Sequence, residues 1–404
     1  MIFPVSLPRG RPCAVSSAHR LPTCLSALAA GLLFLTPNAQ AEDLLATYKL
    51  AQENDPKFRA AQSVYLAERE KLPQARAGLM PTINARAARD RNNNETTTDS
   101  FVISRPSAQF EYSSSEYSLS LSQPVYNAAI FSGFSQAKAE VRRAEAEYAA
   151  AGQDLILRVA QAYLEMLLAQ DSLEFTRAEK TSIRRQWESA EARLKVGLAT
   201  ITDVHDARAR FEIATAQETE AENALLDKRE AVHELTGRSP GSLAIVGANM
   251  PLIAPEPADI NQWAEKSLAQ NYSLLARREA ADGAREEIRR QRAGHYPTLD
   301  LVGTRTRNDA DGSVTGPGIR ADNTVVGLQL NVPLFQGGLV GSRTEEAVHR
   351  YDAAQQEFEA TRRATERAAR AAYLGIAGGT AKVTALAPAV VASESALNAK
   401  TEGF

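Results

Sequence analysis

Long parts of the chain repeat apolar residues at the spacing of an α-helix. Apolar side chains recur three or four positions apart over 156–173 and again over 204–235, which is the period of the seam between packed helices. No proline occurs between Val125 and Ser239, and strong helix formers such as Ala, Glu and Leu are abundant there. This pattern predicts an antiparallel helical hairpin over 127–236, whose first helix is roughly 105 Å long.

A short segment separates the two predicted helices. Gly197 suits the left-handed conformation that ends many helices, and Thr200 and Asp203 have the spacing of a capping box that begins the next helix. These residues predict a tight turn at the tip of the hairpin. Capping accounts for their residue types, so the pattern by itself does not require a binding role for the tip.

Between the helical segments the period of the pattern changes to two. Apolar and small polar residues alternate in Tyr117-Ser-Leu-Ser-Leu-Ser-Gln123, as expected of a strand with two different faces. Strands are predicted at four places, about 82–90, 115–124, 298–307 and 323–332. Each is close to the roughly 9–11 residues that a tilted transmembrane strand needs.

Polar stretches lie between the two strands of each pair, over 90–115 and 308–323, and we expect both to be exposed loops. Prolines are expected where helix and strand meet, because proline blocks the propagation of a helix. These prolines are Pro81, Pro124, Pro297 and Pro333. Three tyrosines suit either a girdle at the membrane interface or ordinary strand propensity, namely Tyr112, Tyr117 and Tyr126.

The same landmarks occur twice in the same order, about 210 residues apart. Matching pairs are Pro81-Thr82 with Pro297-Thr298, Gln123-Pro-Val-Tyr126 with Val332-Pro-Leu-Phe335, Ala162-Tyr-Leu164 with Ala372-Tyr-Leu374, and Asn54 with Asn271. This order indicates an internal duplication. We predict a first repeat over 42–240, a linker over 241–257, and a second repeat over 258–404 with a long helix over 337–404.

The second repeat contains only one helix of its expected hairpin. At the repeat offset, Gly403 and Phe404 correspond to Arg193 and Leu194, where the first hairpin begins its tip. A return helix is therefore missing from the second repeat. We expect about 60 to 80 further residues, mostly helical, to complete the native protein by analogy with the first hairpin.

The two repeats together supply four predicted strands. A membrane sheet cannot leave its edges open in lipid, and closed barrels begin at about eight strands. We therefore expect an oligomer whose chains pool their strands. The predicted fold class is mainly α, with long antiparallel helical hairpins and a contribution to a membrane β-barrel.

The first residues of the chain, 1–41, have the pattern of a signal peptide. A basic region is followed by an apolar stretch over 25–35 and by Ala39-Gln40-Ala41, and that stretch is shorter than the about 20 residues that span a bilayer. Cys13 and Cys24 both lie in this segment, so the exported chain has no disulfide. Cys24 also precedes the apolar stretch, where it is poorly placed for lipid modification.

Neither the charge nor the motifs of the sequence suggest an enzyme. The net charge is only −3, so no basic field suggests binding of nucleic acid. The five histidines are scattered, and the sequence contains no phosphate-binding loop, dinucleotide fingerprint or nucleophile elbow. We expect no catalytic residue, no cofactor and no metal site.

Several segments of the chain resemble the TolC family, the outer-membrane channel proteins of bacterial efflux pumps and type I secretion systems. In the first half these segments are Ala75-Arg-Ala-Gly-Leu-Met-Pro-Thr82, Gln123-Pro-Val-Tyr126, Gln161-Ala-Tyr-Leu164, and Val196-Gly-Leu-Ala-Thr-Ile-Thr-Asp-Val204 with Ala207-Arg208-Ala209. In the second half they are Gly294-His-Tyr-Pro-Thr-Leu-Asp300 and Val332-Pro-Leu-Phe-Gln-Gly-Gly338. The similarity runs from about Glu42 to the last residue.

The resemblance implies a homotrimer in the outer membrane of a Gram-negative bacterium. Its twelve strands, four per chain, would form one barrel in the outer-membrane lipid, and its helices would form a tunnel across the periplasm. A periplasmic adaptor and an inner-membrane pump, either an RND or an ABC transporter, would dock at the helical tips. Substrates such as drugs or secreted proteins would leave through the tunnel without covalent chemistry.

The resemblance also implies that the tip residues take part in adaptor docking and in closing the tunnel entrance. They are Arg193, Leu194, Val196, Gly197, Leu198, Thr202 and Asp203. Asp203 matches a family position that holds the entrance closed by hydrogen bonding to a tyrosine of the second long helix. Here that tyrosine position corresponds to Phe404, which has no hydroxyl group.

Two alternatives to a trimeric export channel are open at this point. One is a periplasmic coiled-coil spacer without a pore, which would have no use for strands with two different faces. The other is a lipid-anchored efflux channel of the same superfamily. That reading needs a cysteine just after the apolar stretch over 25–35, where the sequence has none.

Overall fold

The computed structural model describes residues 42–96, 108–245, 247, 251–313 and 317–402. The predicted signal peptide and Phe404 lie outside these residues. The helices are α1 Leu44–Asn54, α2 Pro56–Arg69, α3 Lys71–Ala77, α4 Ala128–Lys195, α5 Ile201–Thr236, α6 Ile260–Gln270, α7 Tyr272–Arg292 and α8 Leu339–Glu402. The strands are β1 Thr82–Thr96, β2 Ala108–Tyr126, β3 Thr298–Ala310 and β4 Ile319–Asn331.

The four strands form one antiparallel sheet in the order β1-β2-β3-β4. The pairing of β2 with β3 joins the two halves of the sequence, because each half contributes one strand pair. Strands β1 and β4 lie at the two edges, and each pairs with one neighbour in the part of the chain that the structure describes. The fold class predicted from the sequence, long helical hairpins with a four-stranded contribution to a barrel, is confirmed.

The predicted loop over 90–115 was too long, because most of its residues continue the first two strands. Polar residues extend the strands by pairing across them: Asn92 Nδ2 donates to Ser114 Oγ at 2.9 Å, and Asn94 Nδ2 donates to the hydroxyl of Tyr112 at 3.3 Å. The backbone ladder requires no apolar side chain, so alternation of polarity ends before the strand does. The predicted loop over 308–323 was too long for the same reason.

Pro124 does not mark the boundary of a helix and a strand as predicted. It lies inside β2, where the register with β3 shifts between Pro124 and Tyr126. Proline cannot donate to a ladder, and an irregular register tolerates it. The long helix α4 begins two residues after Tyr126, and Asn127 caps it by accepting hydrogen bonds from the N–H groups of Ala129 and Ile130.

Helix α4 is the central element of the helical part. It contains 68 residues, about 100 Å at 1.5 Å per residue, and packs against α5 and α7. Small residues allow the close approach of α4 to α7. Ala139 of α4 is 2% exposed, and a methyl group added to Gly283 of α7 would lie 3.8 Å from the Cβ of Ala139. The alanine-rich seam therefore positions neighbouring helices side by side.

A hydrophobic cluster joins the short helices to the long hairpin. It consists of Ala51, Phe58, Leu155, Val159 and Leu235, which come from α1, α2, α4 and α5. One helical turn after Val159, the hydroxyl of Tyr163 donates to the carbonyl oxygens of Glu42 and Ala244. These bonds fix the start of the described chain and the segment after α5 against α4.

The predicted match of Asn54 with Asn271 is one residue out of register. Asn271 caps α7 by accepting a hydrogen bond from the N–H of Leu274. In the first half this role belongs to Asp55, which caps α2 and accepts from the N–H of Phe58. Asn54 instead donates to the carbonyl oxygen of Leu50.

Helix α8 corresponds in length and position to α4, and much of it is exposed in the single chain. Among the described helices, it has one stretch long and apolar enough, by composition, to cross a membrane, and none of that stretch is buried. Val383, Leu386, Val390 and Leu397 are all more than half exposed. The same composition suits a helix that packs against other helices.

Candidate functional site

The tip of the hairpin is a rigid turn whose first half is a Schellman motif. The N–H of Leu198 donates to the carbonyl oxygen of Arg193 at 2.8 Å, and the N–H of Gly197 donates to that of Leu194 at 3.0 Å. This pattern needs a left-handed residue, and Gly197 has φ +78°. The hydrogen bonds satisfy carbonyl groups at the end of α4 that would otherwise have no partner.

The second half of the tip is the predicted capping box. Thr200 Oγ1 accepts a hydrogen bond from the N–H of Asp203 at 3.2 Å, and Asp203 Oδ2 accepts from the N–H and the hydroxyl of Thr200, both at 2.8 Å. The backbone N–H of Thr200, followed by its hydroxyl, lowers the pKa of Asp203. Asp203 is therefore an ionised carboxylate in the first turn of α5, and its Oδ2 accepts the hydrogen bonds of the capping box.

The structure brings the predicted tip residues together and leaves most of them exposed. Val196 is 69% exposed and Leu198 is 79% exposed. Arg193, Gly197, Thr202 and Asp203 are also exposed, whereas Leu194 is half-buried. Ile201, which is not among the predicted tip residues, is 56% exposed beside them. The tip thus presents three apolar side chains on a backbone fixed by hydrogen bonds.

A groove behind the tip contains further polar residues that the sequence analysis missed. It has a volume of about 260 Å³ and is lined by Ile183 and Gln186 of α4 and by Asp203, Asp206, Ala207 and Arg210 of α5. The α5 residues lie three or four positions apart and so share one helix face. The spacing of Asp206 and Arg210 from Asp203 was the signal in the sequence that could have identified them as part of the same surface.

Below the tip, aromatic and charged side chains hold the two helices of the hairpin together. The rings of Trp187 and Phe211 lie 5.3 Å apart, and the guanidinium of Arg184 lies 5.2 Å from the centre of the Phe211 ring. Further along, Lys180 Nζ lies 2.7 Å from the carboxylate of Glu218. These contacts support the tip from beneath as one rigid unit.

At the opposite end of the helices, one face of the sheet is apolar near the helical part. We call it the leucine face. The register places its apolar residues in adjoining rows, and they include Ile83, Leu119, Leu121, Leu299, Leu301, Val326, Leu328 and Leu330. Val326 is 74% exposed and Leu328 is 68% exposed. Such a patch would be unfavourable in water, so it requires a cover.

The other face of the sheet is polar over the same rows, and we call it the serine face. Its residues alternate with those of the leucine face along each strand and include Asn84, Arg86, Ser118, Ser120, Ser122, Thr304, Thr306 and Gln329. Tyr117 and Tyr126 belong to the leucine face, whereas Tyr112 belongs to the serine face. A common aromatic girdle of all three tyrosines is therefore wrong.

Within the residues that the structure describes, no group of three or more His, Cys, Asp or Glu side chains could hold a metal ion. An ionic cluster of the helical part, in which Asp55 is buried and Asp154 is half exposed, has a structural role. Arg158 Nη2 lies 2.7 Å from Asp55 Oδ2, and Arg158 Nε lies 2.8 Å from Asp154 Oδ2. This cluster connects the cap of α2 to α4.

Proteins of known function are similar to this chain over most of its length. The chain is 35% identical to the outer membrane protein TolC of Vibrio cholerae, over 93% of this chain and 84% of that protein. It is 33% identical to the alkaline protease secretion protein AprF of Pseudomonas aeruginosa, over 88% of this chain and 74% of that protein.

A solved membrane protein of Pseudomonas aeruginosa has the same fold. It superposes with a TM-score of 0.72 at 21% identity, over 89% of this chain and 83% of that one. The profile of the family described as outer membrane efflux protein matches residues 47–238 and 263–404. The protein is an export channel of the outer membrane, and the spacer without a pore has no support. The chain belongs to the outer membrane efflux protein family, whose function is transport and not catalysis.

Proposed function

We propose that the chain works as a homotrimer that pools three four-stranded sheets into one twelve-stranded barrel. The observation that carries this proposal is the pair of sheet edges, β1 and β4, in a sheet with one apolar and one polar face. Open edges are not tolerated in lipid, and four strands are too few to close a barrel. In the trimer the leucine face contacts lipid and the serine face lines a water-filled lumen.

The helices extend the lumen into the periplasm in this proposal. A helix of 68 residues reaches about 100 Å from the sheet, more than twice the thickness of a whole bilayer of about 40–45 Å. The tip at its far end is then the part of the channel nearest to the inner membrane. This position suits contact with an adaptor and an inner-membrane pump of the RND or ABC class.

The tip docks the periplasmic adaptor through the exposed apolar residues Val196, Leu198 and Ile201. Their backbone is fixed by the Schellman motif and the capping box, so docking requires little ordering of the tip, and pre-ordered groups bind at lower entropic cost. Arg193, Thr202 and Asp203 surround these apolar residues with polar groups. A small apolar centre with a polar rim is the usual anatomy of a protein interface.

An export assay with two matched variants tests the docking proposal. Leu198→Asp places a charge in the centre of the tip, and Gln217→Asp adds the same charge at an exposed position of α5 away from the tip. With a cognate pump and adaptor present, Leu198→Asp should reduce export at least about tenfold, the effect of losing about 1.4 kcal/mol of binding. Gln217→Asp should leave export unchanged.

Both variants must reach the outer membrane in equal amounts for the comparison to count. Cross-linking between tip and adaptor should fall together with export for Leu198→Asp. Normal export and normal cross-linking by Leu198→Asp would contradict docking through the tip. The oligomer is tested separately, through the edges of the sheet.

A further inference from the structure

Arginines interrupt the leucine face on the side away from the helices. Three consecutive rows of this face contain Ala85, Leu119, Arg305 and Thr324, then Ala87, Tyr117, Arg307 and Asp322, then Arg89, Ser115, Asp309 and Arg320. These rows carry four arginines against two aspartates. They begin where the apolar rows end and continue toward the ends of the strands that point away from the helical part.

Two of these arginines line a cavity together. Arg305 and Arg307 lie two positions apart on β3, so their Cα atoms are about 7 Å apart. The cavity has a volume of about 430 Å³, and Tyr117, Leu119 and Asp322 also line it. Both arginines are exposed. Its lining thus joins guanidinium groups to an aromatic ring and an aliphatic side chain.

Two other arginines on this side of the sheet have acidic partners. Arg320 lies 2.7 Å from Asp309, and Arg91 lies 3.1 Å from Glu111. Among the described residues, by contrast, neither Arg305 nor Arg307 makes an ion pair within 4.0 Å, although Asp322 is directly opposite Arg307 in the register.

We propose that Arg305 and Arg307 bind the phosphate group of a lipid in the outer leaflet of the outer membrane. This site rests on the proposed orientation of the leucine face toward lipid. The apolar rows contact the acyl chains, and the arginine rows, nearer the outer ends of the strands, lie at the level of the headgroups. The ligand is a phosphorylated glycolipid held at one such site on each chain.

Charge and geometry favour a phosphate over an acyl chain at this position. An arginine on the lipid-facing side of a barrel is strongly unfavourable at the bilayer midplane and nearly neutral at the interface. A guanidinium also matches two phosphate oxygens at once. Tyr117 suits the same level, because its ring is apolar and its hydroxyl is polar. Asp322 limits the excess positive charge without forming an ion pair with Arg307.

The serine face provides an internal control. Arg86 lies on that face, in the row between Arg305 and Arg307, and pairs with Ser118. It has the same side chain at the same height on the barrel, but it points to the lumen in the proposed trimer. Arg86 is also among the residues that line the cavity, but strand alternation directs its side chain to the serine face, so substituting Arg86 removes an equal charge from the opposite side of the sheet.

The test is native mass spectrometry of the purified oligomer in detergent, titrated with lipid A that carries two phosphates. The R305Q/R307Q variant should bind roughly 30-fold more weakly than the unmodified protein, because each basic side chain near a phosphate surface contributes about fivefold. R86Q should bind normally, and R305K/R307K should retain much of the affinity. Lipid A without phosphates should bind the unmodified protein as weakly as lipid A binds R305Q/R307Q.

Three results would overturn the proposal. They are equal binding of the two lipids by the unmodified protein, normal binding by R305Q/R307Q, and displacement of the lipid by inorganic phosphate at equal concentration. The comparison of the two lipids needs no variant, so it decides the matter even if R305Q/R307Q does not fold. A stable oligomer that fails to select phosphate would contradict this site while leaving the proposed barrel intact.

Discussion

Asp55 shows how one residue can join the short helices to the long hairpin. Its side chain is 4% exposed and accepts hydrogen bonds from the N–H of Phe58 and from Arg158 Nη2. Burial alone would raise the pKa of Asp55, but the bonds from Arg158 and Phe58 outweigh this effect and lower it. The carboxylate is thus stabilised in its charged form in the folded protein.

The first prediction concerns the dependence of stability on pH. Because the folded pKa of Asp55 is lowered, its contribution is complete above the unfolded value of 3.8 and is lost as pH falls through the lower folded value. Asp55→Asn should lower the free energy of unfolding by about 2 kcal/mol at neutral pH, because Asn can still cap α2 but leaves Arg158 without its buried charged partner. Thermal melts followed by circular dichroism would measure it.

The same melts provide the control for this prediction. The difference between the unmodified protein and Asp55→Asn should be constant near neutral pH and shrink as the pH falls below the unfolded value of 3.8 toward the lower folded value. Lys57 pairs with Asp154 and is largely exposed, so Lys57→Gln should change the stability much less. A difference independent of pH would contradict the role of the charge.

A second prediction at the residue scale separates two roles of Asp203. Thr200→Ala removes the side-chain cap but keeps the carboxylate, and it should cost about 1 kcal/mol. Asp203→Ala keeps the N–H that donates to Thr200 Oγ1 and removes the carboxylate, which is both the reciprocal half of the capping box and the charged group at the tip. If the carboxylate helps to close the entrance, conductance of the reconstituted channel in planar bilayers should rise for Asp203→Ala and stay low for Thr200→Ala. Equal conductance of the two variants would favour a capping role alone.

The sequence predicted the tip well because its chemistry is local. Thr200 and Asp203 are three positions apart, and Gly197 ends the preceding helix, so spacing alone is informative. Asp55 and Arg158 are 103 positions apart, and no periodicity connects them. The match of Asn54 with Asn271 was displaced for a different reason. Asn and Asp are both good caps, and only the structure identifies which of the two residues precedes the helix.

At the scale of elements, the strands are the part of the fold in which apolar and polar residues lie on opposite faces. Alternation indicated this from Tyr117 to Gln123, and the register extends it to all four strands. Alternation could not give the strand lengths, because the outer ends are held by polar pairs such as Asn92 with Ser114. It also could not place Arg305 and Arg307 beside Tyr117, since that needs the register between the two halves of the chain.

The third prediction uses two adjacent valines on opposite faces of β4. Val326 lies on the leucine face in the row of Ile83 and Leu121, and Val325 lies on the serine face. Val326→Lys should destabilise the barrel by about 2–4 kcal/mol per chain, the effect of a lysine near the bilayer midplane. Val325→Lys places the same charge in the aqueous lumen and should be tolerated.

Heat-modifiable migration on gels and the amount of protein in the outer membrane would measure this difference. The two variants have the same composition and differ by one position in one strand, so general effects of charge or strand propensity cancel. Tolerance of lysine at Val326 and loss of the barrel with lysine at Val325 would reverse the assignment of the two faces.

At the scale of the whole molecule, the edges of the sheet are the feature that the single chain leaves incomplete. Strands β1 and β4 carry backbone donors and acceptors on their outer sides, and such edges pair readily with other strands. The sequence indicated that four strands need partners, because their number is too small for a barrel. It could not indicate which edge meets which, since that contact joins residues of different chains.

The last prediction tests that contact by disulfide cross-linking. Cys13 and Cys24 are the two cysteines of the chain, and both precede the described residues, so introduced cysteines meet no others there. Asn84→Cys on β1 is combined in turn with single cysteines at successive positions of β4 from Asp322 to Gly327. A disulfide requires Cβ atoms about 3.5–4.5 Å apart, which only residues on the same face of neighbouring strands satisfy.

Cross-links should therefore form with Asn323, Val325 or Gly327, which share the serine face with Asn84, and not with Asp322, Thr324 or Val326. The products should be covalent dimers and trimers and nothing larger, because the third chain closes the ring of twelve strands. A ladder that continues beyond three chains would mean an open assembly, and cross-links to consecutive positions would mean that β1 and β4 do not pair as strands. Either result would contradict the trimeric barrel, whereas an alternating pattern that stops at three would establish both the contact and its closure.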